Sequence, residues 1–270
     1  MQSAGAGTRA LRVLTGLAGA LVIGISLGLL GSGGSILTVP VLHYLFGQSE
    51  AAAVGGSLLV VGSIAAAGVI PHALAHRVNW RDVAWFGLPG MAGAWLGATL
   101  AQWIPGAVQL GAFALVMFAA AARMLATAPA AAAAGNPPPR RAFAIVAGGA
   151  AVGLISGIVG VGGGFLIVPA LVLLAGVPMA SAVGTSLAVI TLNSLLGFTR
   201  YLDVLEARHI ELDWATLALV TAVGVVGSLL GFRFAARVSQ PLLRRLFGAT
   251  LLVMASAIAV DVVSRLQPGG

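Results

Sequence analysis

The sequence of 270 residues contains no cysteine and no lysine, and only 8% of its residues are charged. The absence of cysteine excludes a disulfide framework, a thiolate nucleophile and an iron–sulfur centre. A soluble domain has about a quarter of its residues charged, whereas this chain has 14 basic and 7 acidic residues. Most of its surface is therefore expected to face lipid instead of water.

Long apolar runs fill most of the chain, which is 59% hydrophobic and has a mean hydropathy of +1.05. A membrane helix needs about 20 apolar residues. Eight segments predict long helices of this kind: 13–31, 53–75, 83–102, 107–126, 142–160, 181–202, 214–232 and 242–263. Two shorter runs, 35–47 and 164–176, are too short to cross unaided. Whether they are re-entrant or complete a crossing stays open.

The second half of the chain repeats the first. Residues 31–42 (GSGGSILTVPVL) match 160–171 (GVGGGFLIVPAL) at an offset of 129, and AVGGSL at 53–58 then matches AVGTSL at 182–187 without a gap. Shared alanine and glycine richness does not explain the paired prolines, Pro40 and Pro169. Such self-similarity is typical of a duplicated membrane repeat.

The duplication predicts an all-α integral membrane protein made of two inverted repeats. Each repeat has about five helical segments, one of them short or re-entrant, so each half crosses an odd number of times. The predicted parts are a first repeat at 1–126, an alanine- and proline-rich linker at 127–141 and a second repeat at 142–270. The N-terminal apolar stretch could be a signal peptide, but its counterpart inside the chain favours a retained membrane segment.

The arginines divide unequally between the two sides of the predicted topology. One side collects Arg77, Arg81, Arg123, Arg140, Arg141, Arg233, Arg237, Arg244 and Arg245, and the other collects Arg9, Arg12, Arg200, Arg208 and Arg265. Basic residues favour the cytoplasmic side. We therefore expect a cytoplasmic linker and both termini outside the cytoplasm. Because these arginines lie at the ends of apolar runs, they do not form the continuous basic face that is typical of a nucleic-acid-binding protein.

Two glycine-rich turns, one in each half, are predicted to line a substrate site. Each turn opens a short segment, where unpaired backbone N–H groups could hold an anion. The residues are Ser32, Gly33, Gly34 and Ser35 in the first half and Gly162, Gly163 and Gly164 in the second. The alternative is that these glycines only allow close helix packing.

Polar side chains at matched positions extend this predicted site. Ser57 in the first half matches the Thr185–Ser186 pair in the second, and Asn193 and Ser194 follow about two turns later. Hydroxyl and amide groups donate hydrogen bonds without a buried charge, which suits an anion that must bind and leave. The alternative for each hydroxyl is a bond to its own helix backbone.

Titratable groups at membrane depth are few. His43 and His72 could each carry a proton, because histidine titrates near neutral pH, or each could be an interfacial or hydrogen-bonded residue. The histidines and acids do not converge at metal-ligand spacing, and no phosphate loop or nucleophile–base set is present. We expect no metal, no cofactor and no enzymatic activity.

The doubled motif resembles the sulfite exporter TauE/SafE family of membrane permeases. It reads GLLGSGGSILTVPVL at 28–42 and GIVGVGGGFLIVPAL at 157–171, and the likeness extends through RVNWRD at 77–82. The resemblance implies export of small sulfur-containing anions, such as sulfite, sulfoacetate or related sulfonates, across the bacterial inner membrane. A permease for another small anion and a non-transporting scaffold subunit are the alternatives. Oligomeric state, coupling ion and direction stay open.

Overall fold

The computed structural model describes residues 2–101, 103–126, 140–159, 164–207 and 209–266. These ranges form ten α-helices and a short π-helical segment, Val41–Leu45, and contain no strand. The helices are α1 (Gln2–Leu30), α2 (Gly34–Pro40), α3 (Glu50–Leu74), α4 (Trp80–Ala101), α5 (Gly106–Ala126), α6 (Arg140–Val159), α7 (Gly164–Leu173), α8 (Met179–Ala207), α9 (Trp214–Arg237) and α10 (Gln240–Leu266). The all-α fold class is confirmed.

Every apolar run in the sequence corresponds to a helix. Within the described ranges, six helices are long and apolar enough to span a membrane, and they lie in α3, α4, α5, α8, α9 and α10. The run at 35–47 is divided at Pro40, where α2 gives way to the π-helical segment. Proline removes one backbone donor and crowds the preceding turn, so a regular helix is interrupted there.

Local capping explains where two of the long helices begin. Ser49 precedes α3, and its hydroxyl accepts a hydrogen bond of 3.3 Å from the Ala52 N–H. Asp213 precedes α9 and accepts bonds from the Thr216 hydroxyl at 2.6 Å and the Thr216 N–H at 3.0 Å. These bonds to Thr216 lower the pKa of Asp213 below its ordinary value.

The first short segment folds back along α1 and forms a helical hairpin with it. A Cβ placed on Gly34 would lie 2.6 Å from the Ile23 carbonyl oxygen, and one on Gly19 would lie 3.1 Å from Val41. Residue numbers rise along the short segment while those of its contacts on α1 fall, so the two segments are antiparallel. In the second half, a Cβ on Gly148 of α6 would lie 3.4 Å from Leu174, just beyond α7. The glycines make room for these close antiparallel contacts.

Matched helices of the two halves run in opposite directions. A Cβ on Gly62 of α3 would lie 3.1 Å from Leu195 of α8, and one on Gly197 of α8 would lie 3.6 Å from Leu58 of α3. Rising numbers on α3 therefore meet falling numbers on α8, its counterpart in the repeat. The pair is antiparallel.

The first helix of each half pairs with the fourth helix of the other half. Gly24 of α1 lies against the backbone of Gly224 on α9, while Gly153 of α6 lies against the backbone of Gly90 on α4. Both pairs are parallel, and both depend on glycines that let the two backbones touch. The halves are therefore interlocked by reciprocal contacts and do not form two separate bundles.

One end of the bundle carries the α3–α4 loop, the end of α9 and the start of α10. The nine arginines assigned to one side by the sequence belong to this end, and Arg200 lies toward the opposite end on α8. Arg244 also joins α10 to α5, because its Nε donates to the Met124 carbonyl at 2.9 Å. Residues 127–139 of the predicted linker lie outside the described residues, and α6 begins at Arg140.

Candidate functional site

The turn that ends α1 packs against the start of α8. Gly31 and Gly33 have positive φ angles of 71° and 80°, which glycine adopts without a steric penalty. The Ser186 hydroxyl lies 2.7 Å from the Gly31 carbonyl oxygen and 2.8 Å from that of Val183, within donating distance of both. A Cβ on Gly31 would lie 2.6 Å from that hydroxyl oxygen. The Ser186 hydroxyl can therefore link the Gly31 turn of the first half to the AVGTSL motif of the second half by a hydrogen bond.

The remaining residues of the first turn are held mainly by local contacts. The Gly34 N–H donates to the Ser32 carbonyl at 2.9 Å, so this amide already has a partner. Ser32 is fully buried, and its hydroxyl has no hydrogen-bond partner among the described residues. Ser35 lies in α2, but its side chain is outside the described part of the structure.

The second turn is described only where its helix begins. Gly164 is the first residue of α7 and is buried. Gly162 and Gly163 lie outside the described residues. Their predicted role in substrate binding therefore stays a prediction.

The α3–α4 loop covers the start of α8. The Asn79 N–H donates to the Thr185 hydroxyl oxygen at 3.1 Å, and a Cβ on Gly184 would lie 2.7 Å from the Arg77 carbonyl oxygen. Thr185 is fully buried beneath the loop. The loop and the glycine–threonine pair of the repeated motif thus form one packed junction.

A cleft of about 540 Å³ opens between this loop and the α7–α8 connection. Its lining residues are His76, Arg77, Val78, Asn79, Trp80, Arg81, Val177, Pro178 and Ser181. Two arginines and one histidine line the cleft, and the described lining contains no acidic residue. Arginine fits planar or tetrahedral oxyanions because its guanidinium group donates several hydrogen bonds from one plane.

A second cavity of about 550 Å³ lies between α4, α6 and α8. Most of its lining is apolar, and its polar side chains are Ser156, Asn193, Thr199 and Arg200. The Asn193 side-chain oxygen is buried and has no hydrogen-bond partner among the described residues. This cavity extends toward the end of the bundle where α8 finishes, and no acidic residue is among its described lining.

Two of the predicted polar residues make contacts within or between helices. The Ser57 hydroxyl donates to the Val54 carbonyl at 2.7 Å on its own helix. Ser194 is buried, and a Cβ added to Gly62 of α3 would lie 3.2 Å from the Cβ of Ser194. The bond to Val54 is the backbone bond that the sequence left open as the alternative for Ser57.

The two predicted proton carriers have different surroundings. His43 lies in the π-helical segment, and its Nδ1 lies 2.8 Å from the Gln48 carbonyl oxygen, to which it can donate. His72 lies near the end of α3, is 1% exposed, and neither of its ring nitrogens has a hydrogen-bond partner among the described residues. The structure thus gives His43 a local partner, whereas the His72 ring lies near the Gly28 backbone of α1 without a well-formed hydrogen bond.

Sequence reasoning missed three features of this region. Ser228 of α9 is a fully buried hydroxyl without a described partner. A second block of the repeat has an offset of 134, at which Gly90, Gly93 and Gly97 match Gly224, Gly227 and Gly231, and there Ser228 stands where the first half has Ala94. The Asn79 amide bond to Thr185 joins residues 106 positions apart. Arg77 and Arg81 were interpreted only as topology determinants, although both line the cleft. The departure of Ser228 from the repeat was the one visible signal.

The described residues contain no group of histidine and acidic side chains that could hold a metal ion. They form a bundle of apolar helices in which α3 and its counterpart α8 are antiparallel, with a hairpin between α1 and the first short segment and a cavity toward each end. This is the architecture of a multi-pass membrane transporter. Comparison with known proteins agrees: the chain belongs to the sulfite exporter TauE/SafE family, whose model matches residues 16–258. Its class is therefore that of transporters and not of enzymes.

Individual relatives carry the same general description. A probable membrane transporter protein of Xylella fastidiosa strain 9a5c is 39% identical over 247 residues, which cover 88% of this chain and 91% of the relative. A probable membrane transporter protein of Methanocaldococcus jannaschii is 27% identical over 248 residues, or 87% of this chain and 92% of the relative. No solved structure matches the chain.

Proposed function

We propose that this transporter exports small sulfur-containing anions, such as sulfite, sulfoacetate or related sulfonates, across the bacterial inner membrane. One observation carries the proposal: α8 lines both cavities, through Ser181 at its start and through Asn193 and Arg200 further along. Between them lie Thr185 and Ser186, which contact the other half. The proposed route follows α8 from the cleft to the second cavity.

The charges along this route favour an anion. Arginine lines the cleft and also the second cavity, where Arg200 makes no hydrogen bond or ion pair to a described residue. At an effective dielectric constant of about 20, opposite unit charges 4 Å apart attract by about 4 kcal/mol. A cation would meet positive charge, the same sign as its own, at each cavity. Divalent metals and amines are therefore poor candidates.

Two alternatives belong to different classes. A scaffold subunit would need no passage, but it would leave the polar lining of two cavities without a role. A permease for another small anion would use the same arginines and differ only in the fit of the anion. The family name favours sulfur oxyanions. Measuring which anions compete with labelled sulfite for transport distinguishes a transporter of sulfur-containing anions from a permease for another anion.

The orientation in the membrane is also part of the proposal. We infer that the end with nine arginines faces the cytoplasm and that both chain termini lie outside it. A cysteine at Ala133 should then react with an impermeant thiol reagent only from the cytoplasmic side, since the chain has no other thiol. A cysteine at Trp103, which is 82% exposed at the opposite end, should react only from outside. The reverse pattern would overturn this orientation.

Changing the polar lining of the second cavity should weaken substrate affinity. Arg200→Gln and Asn193→Ala each remove a donor that could bond the anion. A lost hydrogen bond to a charged group costs about 1.5–3 kcal/mol, which corresponds to about ten- to hundredfold in binding. The measurement is the concentration dependence of labelled sulfite entry into liposomes that contain purified protein.

Two variants serve as matched controls. Ser57→Ala removes a hydroxyl that bonds its own helix, and Arg140→Gln removes an arginine next to the linker. Both should keep apparent affinity within about threefold of the unaltered protein, because Ser57 is not in the described lining of the cavity and α6 begins at Arg140, at the end of the bundle opposite Arg200. Unchanged affinity in both Arg200→Gln and Asn193→Ala would contradict the proposed route.

A further inference from the structure

Three buried polar side chains stand without partners around the end of α1. Ser32, His72 and Ser228 are 0%, 1% and 0% exposed. Neither serine hydroxyl has a hydrogen-bond partner among the described residues, and the His72 ring lies near the Gly28 backbone without a well-formed hydrogen bond. Each belongs to a different helix or turn. Unpaired polar groups cost free energy in an apolar interior, so buried polar groups of this kind mark a candidate binding site.

Helices α3 and α9 place His72 and Ser228 about one helical turn apart along the same helix–helix contact. A Cβ on Gly68, one turn before His72, would lie 2.7 Å from the Ser228 hydroxyl oxygen. One turn after Ser228, the Phe232 ring meets the His72 ring edge to face, with centroids 4.8 Å apart. The imidazole is therefore held against α9, on the same faces that bring Ser228 to α3.

His72 also contacts α8 at the place where the two halves of the chain meet. A Cβ on Gly184 of α8 would lie 3.1 Å from the His72 Cβ, and Ser186, which holds the Gly31 turn, follows two residues later. Ser32 is the next residue of that turn. His72 thus lies beside the contacts that join the two halves.

The charged side chains near His72 in the described residues are mainly arginines. Arg77 is the nearest charged side chain, with its guanidinium carbon 5.8 Å from the centre of the Phe232 ring. On α9, Arg233 is adjacent to Phe232 in sequence but exposed, and Asp82 at the start of α4 is the acid nearest in sequence. Neither α1 nor α9 has an acidic residue, and those of α8 are at its far end. No described carboxylate of these three helices therefore pairs with a charged imidazole.

We propose that His72, with Ser32 and Ser228, forms a proton-binding site that couples anion passage to proton movement. A free electron pair on an imidazole nitrogen accepts the proton when the anion enters the junction, and the anion supplies the missing negative charge. The proton leaves with the anion on the other side, so both move in one direction. This inference rests on the proposed transport of sulfur-containing anions.

The test uses purified protein in liposomes that contain a pH-sensitive dye, with the membrane potential clamped. The probe is labelled sulfoacetate, which stays fully ionised between about pH 6 and 8, so pH acts on the protein and not on the probe. A sulfoacetate gradient should drive a dye signal in the unaltered protein. His72→Gln should reduce that signal at least about tenfold and remove the pH dependence of sulfoacetate flux.

A second variant and a control keep the result interpretable. Ser228→Ala removes an unpartnered buried hydroxyl, which would leave flux unchanged if the residue only packed; the proposal expects a shifted pH profile instead. His209→Gln alters an exposed histidine at the far end of α8 and should behave like the unaltered protein.

Three results would overturn the inference. Sulfoacetate flux without any dye signal shows transport without proton coupling and leaves the proposed function standing. If the pH dependence of sulfoacetate flux is unchanged in both His72→Gln and Ser228→Ala, these residues do not bind the coupled proton. Absence of both sulfite and sulfoacetate flux in the unaltered protein removes the proposed function and this inference together.

Discussion

Replacing Gly153 with leucine should prevent the chain from forming a stable membrane-inserted bundle. Parallel helices α4 and α6 touch through their backbones here, and a Cβ on Gly153 would overlap the carbonyl group of Gly90. No rotamer change can relieve an overlap with backbone, so the helices must separate. We expect destabilisation at or above about 3 kcal/mol, the upper end for overpacking, because a whole helix pair is displaced.

Gly111→Leu is the matched control for this variant. Gly111 also lies within a long apolar helix, α5, but a Cβ there would have no atom within 4 Å. Leucine has the higher helix propensity, so this change should be neutral or slightly stabilising. Size-exclusion chromatography in detergent and thermal unfolding measure the difference. Equal yields of monodisperse protein and equal melting temperatures for the two variants would contradict the close packing of α4 and α6.

Replacing Gly31 with alanine should abolish most transport while leaving a folded protein. The residue has φ of 71°, and a Cβ would lie 2.6 Å from the Ser186 hydroxyl oxygen and 2.7 Å from the Val183 Cα. The turn must move away from α8, and the bond that joins the two halves is lost. We expect initial rates of sulfite entry to fall about tenfold or more.

Gly47→Ala separates backbone strain from this contact. Gly47 has a similar φ of 69°, but a Cβ on it would meet no atom within 4 Å. Both variants therefore carry the same conformational cost of about 1–2 kcal/mol, and only Gly31→Ala adds the collision. Gly47→Ala should transport sulfite at close to the unaltered rate. Equal transport by both variants would mean that the Gly31–Ser186 contact does not matter for function.

The helices could be predicted from sequence because hydropathy and length are local properties. The hairpin that residues 35–47 form with α1 could not, since a run of that length fits either a hairpin or the end of a crossing. What decides between them is the space that Gly16, Gly19 and Gly34 leave between α1 and the returning segment. That contact depends on tertiary packing and has no signature in one segment alone.

The sequence predicted which segments form the candidate site, but not which hydrogen bonds its side chains make. The repeat identified Ser186, but the partner of its hydroxyl, Gly31, lies 155 residues away in sequence. The two halves also differ where the repeat suggests equivalence. Asn193 lines a cavity, whereas its counterpart Ile64 is buried against Gly224. Sequence similarity shows that two positions correspond, but it does not show which of them borders open space.

The central claim is that this chain moves small sulfur-containing anions by itself. The most direct measurement is entry of labelled sulfite into liposomes that contain only the purified protein. The account predicts saturable sulfite entry that unlabelled sulfoacetate inhibits and that amines and divalent metal ions do not affect. Sulfite entry no faster than in protein-free liposomes, or entry of divalent cations with sulfite ignored, would contradict it.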